Sequence, residues 1–143
     1  MNVLIKKFRY YPLSSVLIAI TWILCFATVP RTPLHDITLM DKWTHIVMYA
    51  AICMAIWHEY GKNHDGERPK WMHLILWAWI MPLAMGCLIE LLQAYCTGGR
   101  RSGDWIDVAA NSVGCTIALV AGVCITWRKQ TRNRMKKNKA NYI

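Results

Sequence analysis

Trp71-Met72-His73-Leu74-Ile75-Leu76-Trp77-Ala78-Trp79-Ile80-Met81-Pro82-Leu83-Ala84-Met85-Gly86-Cys87-Leu88-Ile89-Glu90-Leu91-Leu92 decides how this chain is read. A core helix of a soluble domain shows a polar face every 3.6 residues. Residues 74–89 show none. The run is long enough to cross a bilayer, which takes roughly 17–25 mostly apolar residues. Pro82 predicts a kink, tolerated in a spanning helix when neighbours satisfy the freed carbonyl.

Three more apolar runs flank it. The four expected spans cover about 13–29, 41–60, 71–95 and 104–127. The second reaches spanning length only with its polar ends. The first follows Lys6, Lys7 and Arg9 and is read as a retained helix. The small-residue pattern of a cleaved signal peptide is poor near Ala27 and Pro30. The connections 30–40, 61–70 and 96–103 are short and rich in Gly, Pro or charge. Trp43, Trp57, Trp71, Trp105 and Trp127 sit at run ends, as an interfacial aromatic belt does. Trp22, Trp77 and Trp79 are expected to pack or face lipid. The expectation is an all-α, polytopic bundle of four transmembrane helices, forming one domain over 1–127.

Composition agrees. Of 143 residues, 55% are hydrophobic and only 17% charged. Such apolarity excludes a disordered chain. The net charge is +9, from 17 Lys and Arg against 8 Asp and Glu. Seven of the basic residues lie in 128–143: Arg128, Lys129, Arg132, Arg134, Lys136, Lys137 and Lys139. That tail is expected to be disordered. Without it the chain carries 10 basic and 8 acidic residues and is close to neutral. Counting Lys and Arg by loop places the three N-terminal ones, three in 61–70 and the seven of the tail on one side. Only Arg31, Lys42, Arg100 and Arg101 fall on the other. The positive-inside rule then puts both termini in the cytoplasm. The tail lacks interleaved aromatics before Tyr142, so nucleic acid is not an expected partner. Anionic lipid is, though enforcement of topology alone accounts for the charges.

The six cysteines form no CxxC pair, and no zinc motif, metal site or cofactor is expected from their spacing. Most lie within the spans, where Cys behaves as a small apolar residue.

Polar residues inside spans are costly, and they mark sites. Asp41, His45 and Tyr49 recur every four residues and share one helix face. Glu90 and Gln93 lie one turn apart near the outer end of the third span. Asp104, Asp107 and Asn111 form a stripe on the fourth, which Gly114 and Ala118 extend inward and which permits close approach. With Lys42, Arg100 and Arg101, these stripes all fall at the outer ends. Asp41 and Asp104 also suit helix N-caps, Lys42 could simply snorkel to headgroups, and His45 could be only a structural hydrogen-bonder. Glu90, flanked by Leu88, Ile89, Leu91 and Leu92, needs a partner or a proton. Arg101 or His45 is the expected partner.

The segment Asp41-Lys42-x-x-His45-x-x-x-Tyr49 resembles the first motif of the VanZ-like membrane proteins. Glu90-x-x-Gln93 followed by Arg101-x-x-Asp104-x-x-Asp107-x-x-x-Asn111-x-x-Gly114 resembles the second. The resemblance implies a bacterial integral membrane protein of the cell envelope, in a family whose founding member is linked to teicoplanin resistance. It supplies no reaction.

Three functions are compatible with these residues. Lys42, Arg100 and Arg101 beside acceptors suit the phosphate of an envelope lipid or lipid-linked glycan. Carboxylates would then meet sugar hydroxyls, or a divalent ion bridging to phosphate. Alternatively, His45 and the carboxylates serve as acid and base in a membrane enzyme. No GxSxG, HExxH or SxxK motif supports that, and no catalytic residue is assigned. In the third reading the polar cluster only holds a structural or adaptor bundle together. A transporter would need polar residues through the bilayer midplane, which the pattern lacks.

Overall fold

The computed structural model describes residues 9–27, 38–65, 67–96 and 103–140. All regular structure among them is helical. Four helices follow one another: α1 Pro12–Phe26, α2 Thr38–Asn63, α3 Trp71–Cys96 and α4 Trp105–Ala140. Helices α3 and α4 are long and apolar enough to cross a membrane. Helix α1 is a shorter apolar helix, and α2 has charged ends.

Pro82 shapes α3 differently from a simple kink. A proline at 82 cannot bond back to Ala78, and its ring crowds that carbonyl. The ladder widens to a π turn over Leu76–Ile80, and the Met81 N–H donates to the Leu76 carbonyl. Such a turn accommodates the missing donor without ending the helix.

The most extensive packing is α2 against α4. On α2 it follows one stripe, Asp41, His45, Tyr49, Cys53 and Trp57. On α4 it follows Asp107, Asn111, Gly114, Cys115, Ala118 and Gly122, all buried. Tyr49, Cys53, Cys115 and Ala118 form the middle of this seam. A Cβ on Gly122 would come within 2.4 Å of the Trp57 ring. Trp57 is therefore buried in the seam and not part of an interfacial belt, whereas Trp43, Trp105 and Trp127 are exposed. Large apolar side chains also face outward, among them Val16, Ile23, Leu76, Ile80, Ile117 and Val120. Lipid would cover such a surface at no hydrophobic cost.

The tail departs from expectation. Helix α4 runs on without a break from the apolar segment to Ala140, so residues 128–140 are helical, not disordered. The segment has no Gly or Pro, and Arg, Lys, Gln and Met favour helix. It also extends an existing helix, so the costly nucleation step is already made. Lys129 of this extension pairs with Asp65 at 2.7 Å.

At the same end, Glu59 of α2 caps α1. Pro12 occupies the first turn of α1, and Tyr11 makes no side-chain cap. The buried Glu59 carboxylate takes over that role. It accepts the Leu13 N–H at 2.6 Å, the Ser14 N–H at 3.2 Å and the Ser14 hydroxyl at 2.7 Å. First-turn donors of one helix, which lack partners within it, are thus satisfied by another.

Candidate functional site

The opposite end of the bundle gathers most of the expected polar residues. Helix α2 already includes Thr38, so Asp41 lies inside it and does not cap it. Asp104 does cap α4: its Oδ1 accepts the Ile106 N–H at 2.9 Å. Its other oxygen takes the Lys42 ammonium at 2.7 Å. Lys42 also binds Asp107 Oδ1 and lies 3.9 Å from Asp41. Its side chain is only 20% exposed, so it turns inward onto α4 instead of snorkelling.

His45 follows one turn below. Its Nδ1 lies 3.0 Å from Asn111 Oδ1. Its Nε2 lies 3.9 Å from Asp107 Oδ2 and 4.0 Å from Asp41 Oδ1. His45, Asp107 and Asn111 are buried, while Asp41 is 64% exposed. Asp41 thus forms the outer rim.

Glu90 closes the cluster from α3 and is buried. Of its two expected partners only His45 lies among the described residues, and it does not bond Glu90. One of its oxygens accepts the Asp104 N–H at 3.0 Å. The other has no hydrogen-bond partner among the described residues. His45 bonds Asn111 instead, and Arg101, like Arg100, lies outside the described residues. Gly103 and Asp104 come close enough to Glu90 for this bond, and a Cβ on Gly103 would lie 2.4 Å from the Glu90 carbonyl oxygen.

Gln93 leaves the cluster. Its Nε2 donates to the Cys25 carbonyl at 2.7 Å, tying α3 to the end of α1. Tyr49 lies below His45 in the seam, 1% exposed, with its hydroxyl near Gly86. It supports the site from beneath and is closed off from its mouth. The sequence pattern did not single out Gly86. A Cβ there would come within 2.8 Å of Asn111 Nδ2 and 3.0 Å of the Tyr49 hydroxyl. Its spacing, one turn before Glu90, was the available signal.

The arrangement can hold a cation among carboxylates, present an imidazole lone pair and offer an ammonium to an anion. No family model, curated protein or solved structure matches this chain.

Proposed function

We propose that this chain is a VanZ-like protein of the bacterial cytoplasmic membrane that binds or handles a phosphate-bearing envelope lipid or lipid-linked glycan. Four spanning helices with both termini cytoplasmic carry the site at their outward ends. The observation behind the proposal is the convergence of Lys42, His45, Glu90, Asp104, Asp107 and Asn111 from three helices, two of membrane-crossing length. Polar groups of this kind at membrane depth are costly and are held for use. By sequence position, Arg100 and Arg101 join this end and supply guanidinium forks for phosphate. The tail binds anionic lipid at the cytoplasmic face.

Complementation tests this reading. Cells lacking the gene and carrying Arg101→Ala or Glu90→Ala lose the envelope phenotype, teicoplanin susceptibility included, while the protein remains at wild-type abundance. Full phenotype from both variants rejects the proposal. Loss of abundance in proportion to loss of phenotype assigns the cluster a purely structural role.

The position of His45 favours one second reading, acid–base chemistry on the same substrate. Its imidazole is set between two carboxylates and oriented by Asn111. Purified protein incubated with lipid-linked precursors would form a product visible by mass spectrometry, and His45→Ala would abolish it.

A further inference from the structure

With Asn111 Oδ1 turned toward it, His45 carries its ring hydrogen on Nδ1. In the neutral ring, Nε2 then carries a lone pair. It faces Asp107 Oδ2 at 3.9 Å and Asp41 Oδ1 at 4.0 Å. Three candidate ligand atoms, one from each residue, thus lie within 4.8 Å of one another. Lys42 takes the opposite oxygen of Asp107 and leaves the one facing His45 open. Glu90 accepts the Asp104 N–H and is 5% exposed, and its other oxygen has no partner among the described residues. Among the described residues one ammonium, Lys42, faces the carboxyl groups of Asp41, Asp104 and Asp107.

We propose that Asp41, His45 and Asp107 bind one divalent cation of the Zn2+ or Mn2+ kind. Mixed imidazole and carboxylate donors suit those ions. Asn111 is the outer partner that orients the histidine ligand, as such second partners commonly do. The ligands come from two helices, which is why no local spacing announces the site. Three protein ligands leave a coordination position open. That a phosphate oxygen fills it rests on the lipid-handling reading; binding of the ion itself does not.

The test uses full-length protein in detergent micelles, freed of its affinity tag and stripped with a chelator. It is titrated with Mn2+ alone by electron paramagnetic resonance and with Zn2+ alone by calorimetry. The expected result is saturable binding of about one ion per chain. Asn111→Ala weakens it by about 10–100-fold, and Asp41→Asn by at least as much. Asp41 is an exposed side chain, so its variant keeps the fold. His58→Ala, exposed at the other end, leaves binding unchanged. Absence of saturable binding of both ions overturns the proposal, as does equal affinity in Asp41→Asn and wild type. An Asp41-dependent ion in protein whose Arg101→Ala and Glu90→Ala variants both still complement fully would uphold the metal site and reject lipid handling.

Discussion

Gly114 packs against Ile46 so closely that a Cβ on the glycine would lie 2.3 Å from the Ile46 carbonyl oxygen. The neighbour is backbone and cannot step aside, so α2 and α4 would have to separate. Their separation would pull His45 away from Asn111 and Lys42 from Asp107. Gly114→Val is expected to lower stability by about 1–3 kcal/mol or more, read as a lower melting temperature in detergent. Gly61, near the end of α2, has nothing within 4 Å of its Cβ position. Gly61→Ala should be neutral or stabilise by roughly 0.5–1 kcal/mol through helix propensity. If both glycines respond alike, close approach is not what the first one provides.

Lys42 gives the second prediction. Replacing it with Met leaves Asp104 and the largely buried Asp107 without their ammonium. The expected loss is about 1.5–3 kcal/mol, the usual range for hydrogen bonds to charged groups. Adding Asp107→Asn to Lys42→Met should recover part of it, because the stranded charge is then gone. A double-mutant cycle by thermal melting measures that coupling. Strictly additive losses would mean that the two residues do not act as a pair.

Glu59→Ala removes the acceptor for two N–H groups and a hydroxyl at the start of α1. A cost of about 1–3 kcal/mol is expected for buried donors left unmet. The change should appear first as hydrogen exchange or protease cutting near Leu13 and Ser14. It should leave metal titrations unaltered, since the Asp41 cluster lies at the other end.

Gly86→Ala should separate site from scaffold in the opposite sense. Its new methyl meets the far ends of two side chains, Asn111 and Tyr49, instead of backbone. Those ends shift, so the melting temperature should fall less than for Gly114→Val. The orientation of His45 depends on Asn111, and its imidazole resonances should move. An unchanged His45 signal would show that Gly86 does not support the ring.

What could be read from the chain, and what could not, divides along a physical line. The four-residue spacing of Asp41, His45 and Tyr49 defines a face of one helix, and the structure keeps that face. The spacing of Asp107 and Asn111 does the same on α4. Spacing says nothing about how far one helix slides along another. That register sends Gln93 to Cys25, lays Trp57 on Gly122 and brings the Asp104 amide to Glu90. Glu59 was legible as a charge but not as a cap, because its partners lie 45 and 46 residues away. In the tail, charge density suggested a solvated coil, while helix propensity and an upstream nucleus act in the other direction.

The unbroken α4 turns the tail's count of charges into a ladder of distances. At about 1.5 Å per residue, Lys139 stands roughly 16 Å along the axis from Arg128. Where Trp127 marks the bilayer surface and the helix stands upright, only the lowest rungs lie within the screening length of about 8 Å at physiological salt. Arg128, Lys129 and Arg132 then feel the headgroups. Lys136, Lys137 and Lys139 are held out in the aqueous phase on a stiff post, beyond the reach of the lipid that the lower rungs touch.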